Sequence, residues 1–540
     1  MLEQGSQVLI VGAGPSGLML AYELSRRGVS LRIIERDLNK SPYSRAIAVQ
    51  IRTQEIFASL GLLPRLMDQA QTVQSFQINT DHKTPVNLVL EAERPQFMGP
   101  LIVDQPHTEL VLEEALSRFD VGIERGIELV DFSQDHDGVL ATIKNHDGSL
   151  SKQRFSYIVG ADGAHSIVRK KMTNAFVGSS YDDAFILADA ECNTFDDHHT
   201  IRVFFKAQGF LAMIPMFASN HYRLISVRCH ERTRTGPEPT SVEFQELVNK
   251  LVPFKLEIKQ VRWVSRFFVQ CRSADHYHDE RAFLVGDAAH IHSPAGGQGM
   301  NTGLQDAFNL GWKLAMVLNH QAPASLLLSY HQERKPVGDY LINSTDRFFK
   351  LMVASSWWLR ILRSLILPLV SRKKNLRESI FRVASQTAIC YREGAVCSHV
   401  SHMQLPHFSI GVRIPNLELM DSHLIKSSLH SMAVKSMLSI FLFIPQGISK
   451  KTAQLTIKSV RQLSQKFNIN CYLIFAADFD AEKIVEDDNY LIASDGTIFS
   501  GLTQPFFIVV RPDQHLLCLG NSDDFSHLEE YLSVVLKGDS

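Results

Sequence analysis

No two of the seven cysteines stand in a C-x-x-C or zinc-like spacing; they fall at 192, 229, 271, 390, 397, 471 and 518, and their number is odd. That argues against a disulfide framework or a structural metal and fits a reducing cytoplasm. Charge of one sign is missing as well: 55 Lys and Arg face 57 Asp and Glu, leaving a net charge of −2. A nucleic-acid partner normally requires a basic face that displaces phosphate counterions, so a small molecule is the expected partner. No apolar run reaches the roughly 20 residues of a membrane span. The most apolar stretch, Trp357–Val370, is broken by Arg360, Arg363 and Pro368 and reads as a helix packed on its own domain. With Arg372, Lys373 and Lys374 behind it, peripheral contact with anionic lipid is the competing, less favoured reading. A signal peptide is not expected, because Val8–Val11 starts without a basic leader and runs straight into glycines. Internal repeats and low-complexity tracts are absent too.

What is present starts with length: 540 residues exceed one ordinary core and imply two or three domains. The spacing predicts a strand over Gln7–Val11, a glycine turn, a helix with Leu18, Ala21, Tyr22 and Ser25 on one face, and a second strand over Val29–Glu35. Helical spacing returns at Thr108–Phe119, and Tyr157–Gly160 is a short apolar strand. From about Tyr181 to Cys271 the pattern alternates, as in Ile201–Phe205, Gly209–Pro215 and Tyr222–Cys229, which predicts an inserted sheet domain. Ala282–Gly286 is again a buried strand, followed by a helix over Met300–Leu318. The terminal strands Ser439–Ile444, Cys471–Phe475 and Phe506–Val510 alternate with helical segments. The fold class is therefore α/β, in four parts: a discontinuous Rossmann-like nucleotide-binding domain (1–180 and 272–345), an inserted β-sheet domain (181–271), a helical connector (346–404) and a terminal α/β module (405–540).

Three motifs carry the chemistry. The first is Gly12-x-Gly14-Pro15-Ser16-Gly17, with Glu35 and Arg36 ending the second strand. Gly12 permits the tight turn, Gly14 lets a diphosphate approach the helix N-terminus, and Gly17 lets helix and strand lie close. Glu35 suits ribose hydroxyls and repels a 2′-phosphate, so FAD or NAD fits better than NADP. The second motif is Gly160-Ala-Asp162-Gly163 through Arg169, and the third Gly286-Asp287-Ala-Ala-His290 followed by Pro294-x-Gly296-Gly297-Gln298-Gly299-Met300-Asn301. Taken by itself, Arg169 reads equally as a solvated helix residue and Asp287 as a solvated strand-end Asp.

In this order and at these distances the motifs resemble the single-component flavin monooxygenases, the group that includes p-hydroxybenzoate hydroxylase and phenol hydroxylase. The resemblance covers roughly the first 340 residues and ends in Ser329-Tyr330-x-x-Glu333-Arg334. It implies FAD as resident cofactor, NADPH or NADH as a transient hydride donor, O2 as co-substrate, and an aromatic substrate, phenolic or polyketide-like, hydroxylated through a flavin C4a-hydroperoxide. It further implies that Asp287 holds ribityl hydroxyls, that Asp162 and Arg169 belong to a segment associated with both FAD and nicotinamide binding, that the turn containing Gly297, Gly299, Met300 and Asn301 faces the flavin N1–C2=O edge, and that Pro294 lines the substrate side of the ring. Arg45, in Ser44-Arg45-Ala46, and Arg52-Thr53-x-Glu55 match a segment near FAD, as does Gln105 with Thr108-Glu109. A second G-x-G-x-x-G is lacking, so the nicotinamide has no Rossmann domain of its own. The W-x-W-x-I-P segment of related halogenases is lacking too. No residue declares itself as a substrate-ionising base. Phe204, Phe210, Met213 and Met216 are candidates for a substrate wall, with sheet core the favoured alternative, and His198-His199 and His276-x-His278 read as solvated loop histidines, so no metal is expected. Arg511-Pro512-Asp513 resembles the thioredoxin-like tail of phenol-hydroxylase-type enzymes, here a redox-inert structural or dimerising module. The alternative to a hydroxylase is a flavin-binding regulatory or membrane-peripheral protein without turnover.

Overall fold

The computed structural model describes residues 6–41, 46–80, 85–90, 97, 99–193, 197–206, 209–228, 240–293, 296–353, 372–391, 396–397, 400–435, 437–477, 481, 484–485 and 490–537. Trp357–Val370, Cys229, Arg45 and Pro294 lie outside them. Among the described residues no helix is long and apolar enough to cross a membrane.

The first layer is a six-stranded sheet in the order His278–Asp279, Ala282–Leu284, Tyr157–Gly160, Val8–Val11, Leu31–Glu35, Ile123–Arg125, parallel except at His278–Asp279. Its central strands are buried along their whole length, which is why they read as continuous apolar runs. The helix Pro15–Ser25 is buried all round from Gly17 to Ser25, not on one face only as its spacing predicts, because the long helix Gly299–Leu318 covers its other side. A strand from residue 282 beside one from residue 157 makes the domain discontinuous, and the segment between them forms much of a second sheet.

That second sheet has eight strands, including Phe176–Asn193, Thr200–Lys206, Gly209–Pro215, His221–Arg228 and Glu257–Ala274. The sequence division at 181–271 is too narrow for it. Ser75–Asn79 pairs in parallel with Thr200–Lys206, Val86–Val89 pairs with Ser75–Asn79, and His290–Ile291 pairs with Glu257–Ala274. Those short strands come from within the nucleotide-binding segments, and Ser75–Asn79 joins the sheet through a partner more than a hundred residues away, which leaves no local signal. One face of the sheet is covered by the helix Ser241–Leu251, started by a capping box between Thr240 and Glu243.

The terminal region builds a seven-stranded sheet. Asn470–Phe475, Ser439–Ile444, Phe506–Val510 and Leu516–Asn521 follow one another in that order to one edge of it, the first pair parallel and the later pairs antiparallel. The helices Lys450–Phe467 and Phe525–Lys537 pack on one side, where Ala453, Val460, Leu528 and Leu532 are buried. Trp312 and Met316 of the long helix join that same core, so the terminal region is seated directly on the nucleotide-binding body.

Candidate cofactor and active site

Each glycine of the first motif has a distinct geometric reason. Gly12 has φ +104°, and a Cβ there would lie 2.4 Å from the Ala161 carbonyl oxygen. At Gly17 a Cβ would lie 2.0 Å from the Gly12 oxygen, so only glycine lets helix and turn touch. Gly14, the helix N-cap, has open space where its Cβ would be, on the side from which a ligand approaches. Ser16 is wedged against the third motif: Cβ atoms at Gly286 and Gly303 would come within 2.5 and 2.3 Å of its Oγ.

Glu35 lies at the C-terminal end of its strand, beside Arg125 on the neighbouring parallel strand. Its Oε2 accepts from the Ala13 amide at 2.9 Å and its Oε1 from the Asp37 amide at 3.0 Å, leaving lone pairs for a ligand. An open cleft gathers Gly14, Glu35 and Gln105 with Lys40, Glu109 and Arg125. Gln105 donates to Glu109 at 2.8 Å, and burial pushes the Glu109 carboxyl up. Glu113 joins the two cations of the rim by bonding both Lys40 and Arg125. Lys40 and Arg125 carry no motif; only the rule that ligands meet the carboxyl ends of parallel strands points to Arg125. Arg36 is exposed beside Asp37 and is not among the residues lining the cleft.

Asp162 caps the short helix Ile167–Lys171, its Oδ2 accepting from Ile167 N at 2.7 Å, while its buried Oδ1 has no protein partner; burial raises its carboxyl. Arg169 is buried, not solvated: it donates to the Ala288 and Ala164 carbonyls, both at 2.7 Å, and lies 3.7 Å over the Phe176 ring. It thus holds the Gly286–Ala288 turn from below. Asp287 on that turn is exposed, and the desolvation its neighbours impose raises its carboxyl.

Asp306 fixes the same turn. It accepts from Gly286 N at 3.1 Å, is bonded to His290 Nε2 at 2.7 Å, and accepts from Arg334 Nε at 2.6 Å. Burial would raise its carboxyl, but Arg334 and His290 win and hold it below the usual range. The glycine-rich turn is clamped in turn: Asn301 Nδ2 donates to the Ala48 and Gly297 carbonyls at 2.7 and 2.8 Å, and Gln50 Nε2 to Gly296 at 2.9 Å. Gly296 and Gly297 both have positive φ, and the helix Gly299–Leu318 that follows has no side-chain cap, so its first N–H groups face outward from the turn. An orphan carboxylate oxygen at Asp162, open space at Gly14, acceptors at Glu35 and an uncapped helix start offer donors and acceptors of the kind a dinucleotide cofactor such as FAD needs.

Residues 5–345 match the FAD binding domain family. A rifampicin monooxygenase of Rhodococcus hoagii is 31% identical over 394 residues, covering 70% of this chain and 78% of that one. The chain belongs to the FAD-dependent aromatic monooxygenases. The 6-methylpretetramide 4-monooxygenase of Streptomyces rimosus is 36% identical over 349 residues, 63% of this chain, and the match spans 61% of that relative's length. Among solved structures, CabE, an aromatic hydroxylase from angucycline biosynthesis, superposes with a TM-score of 0.74 at 28% identity over 95% of this chain and 96% of its own. These relatives favour the hydroxylase over the flavin protein without turnover.

Within this family member several expected residues serve other ends. Arg52 is buried and donates to Gln514 Oε1 at 2.6 Å and to the Asp513 carbonyl at 2.7 Å, while Glu55 pairs with Arg413, so that segment grips the terminal region. Phe204 and Met213 pack against Phe244 and Val248 of the covering helix, and Phe210 joins a different cluster. The opposite face carries Val203 and Ile214, which share a cluster with Ala48 and Phe381, and Ala48 touches the Gly297 turn. Alternation alone did not say which face that would be. His198 and His199 are held by Tyr222 and the Thr72 carbonyl. Among the described residues the one close group of metal-ligand types is Asp135, His136 and Asp137, on an exposed turn.

Proposed function

We propose that this chain binds FAD and, with O2 and NADPH or NADH, hydroxylates a polycyclic aromatic molecule of polyketide type. The observation that carries the reading is the meeting of three sequence-distant motifs at one sheet edge, from the Glu35 cleft through Ser16 to the Gly286 turn and the uncapped helix. When bound, FAD supplies hydride acceptance and oxygen activation; the protein's part is binding, aim and exclusion of water. Glu35 takes the ribose hydroxyls, Gly14 and the first helix face the diphosphate, and Asp287 takes the ribityl chain. The amides that open the helix Gly299–Leu318 stabilise negative charge at the pyrimidine edge. Val203, Ile214 and Phe381, beside Ala48, form an apolar wall suited to a flat ring system. The polycyclic substrate class is supported by the relatives named above. The terminal region reads as thioredoxin-like from its central strand order, and its thiols are inert, with burial pushing Cys471 up to about 12.

The test is anaerobic reduction of the yellow protein by NADPH and by NADH, followed at the oxidised-flavin absorbance, with and without phenols and polycyclic aromatics. One compound should accelerate reduction by orders of magnitude and gain one oxygen atom by mass once air is admitted. FAD that stays oxidised with every donor and compound refutes the hydroxylase.

A further inference from the structure

Two residues past the helix Lys374–Ala384 the backbone turns left-handed at Gln386, with φ +61°. Glycine or asparagine usually occupies such a place, because a side chain there costs about 1–2 kcal/mol. Gln386 is also buried, and both ends of its amide are used. Its Oε1 accepts from Gln305 Nε2 at 2.6 Å, and its Nε2 donates to Thr302 Oγ1 at 2.7 Å and toward the Gln298 carbonyl at 3.4 Å. Thr302 Oγ1 passes the bond on to the Gln298 carbonyl at 2.9 Å. In return Gln298 Nε2 donates to the Ala384 carbonyl at 3.3 Å, and Arg52 N to the Ser385 carbonyl at 3.2 Å. Gln298, Thr302 and Gln305 form the start of the helix whose first amides face the flavin site. Backbone strain held in place by a buried polar network points to a task for that side chain.

We propose that Gln386 is a positioning residue for the flavin: the connector reaches across and sets the pitch of the Gln298–Thr302 turn, and with it the aim of the helix-start amides. Tyr391 of the same connector reinforces this: its hydroxyl accepts from Arg334 at 2.9 Å, and Arg334 holds Asp306. The inference rests on the FAD reading above and assigns to the connector a duty in cofactor placement.

Gln386→Gly separates this role from simple helix termination, since glycine suits the left-handed backbone better but carries no amide. The apoprotein should melt within a few degrees of wild type. With the three hydrogen bonds of the amide gone and the turn no longer held, FAD should bind about tenfold more weakly, a loss of about 1.4 kcal/mol, and the visible circular dichroism of the bound flavin should change. Gln386→Asn, which tolerates the backbone but falls one methylene short, should show the same pattern and carries the test where the glycine variant does not fold. Affinity within twofold of wild type and an unchanged flavin spectrum overturn the proposal, as does failure of both variants to fold, which assigns Gln386 to the core alone. Wild-type protein that retains no FAD would instead refute the cofactor reading.

Discussion

Arg511→Met should cost far more stability at pH 7 than at pH 5. Arg511 makes four buried bonds, at 2.7 and 2.8 Å to Glu333 and at 3.0 and 2.5 Å to Asp513. Lys313 Nζ completes the group at 2.7 Å from Glu333, so two cations balance two carboxylates where the long helix meets the terminal region. His515 adds no charge, since burial pulls it down to about 4. Methionine fills the volume and leaves one carboxylate unmatched. Breaking a buried ion pair from one side costs about 3–5 kcal/mol. Proton uptake sets a ceiling: a carboxyl with an unfolded pKa near 4.3 takes a proton at pH 7 for about 3.7 kcal/mol, and at pH 5 for about 1 kcal/mol.

The signs follow from the wild-type shift. Burial works to raise the Glu333 carboxyl, yet Arg511 and Lys313 hold it down to about 2. Its contribution is therefore full above the unfolded value and is lost only as pH falls from about 4 through 2. In the variant the unmatched carboxyl lies above its unfolded value, so the folded state gains protons as pH falls and the deficit narrows. Urea unfolding of both proteins at pH 7 and pH 5, followed by far-ultraviolet circular dichroism and tryptophan fluorescence, reads the difference directly. A deficit below about 1 kcal/mol at pH 7, or one that does not shrink toward pH 5, would refute the reasoning.

Gly17→Ala puts a Cβ 2.0 Å from the Gly12 oxygen, so helix and turn must part; the purified protein should lose most of its flavin absorbance and melt several degrees lower. Glu35→Gln should weaken FAD binding roughly ten- to a hundredfold for one charge-assisted bond, measured by titration calorimetry, and unchanged affinity would place the ribose acceptor elsewhere. Burial pushes the Cys471 thiol to about 12 and Cys518 well above its ordinary range, whereas Cys390 is exposed. In native protein at pH 8, Ellman's reagent should label Cys390 and spare the other two. Rapid labelling of Cys471 or Cys518 would contradict their placement.

Local pattern alone revealed the parts of this protein whose physics is local. A glycine that must adopt positive φ or admit a backbone neighbour, as at Gly12 and Gly17, leaves the same mark wherever the chain goes next. The fully apolar strands Val8–Val11 and Ser439–Ile444 and the long helix from Gly299 are of that kind, and with the ordered motifs they pointed to FAD and to the family. Tertiary structure decided what depends on partners hundreds of residues away. It turned Arg52 toward Gln514 instead of the cofactor, buried Arg169 under the Gly286 turn, brought Lys40 and Arg125 to the Glu35 cleft, and added Ser75–Asn79 to the inserted sheet. It also chose between the faces of that sheet, sending Phe204 into the covering helix and Ile214 toward Ala48. Strand alternation separates two faces but cannot say which one meets another domain, and an arginine has the same local signature whether its carboxylate or carbonyl partner is a ligand, a neighbour or a distant loop.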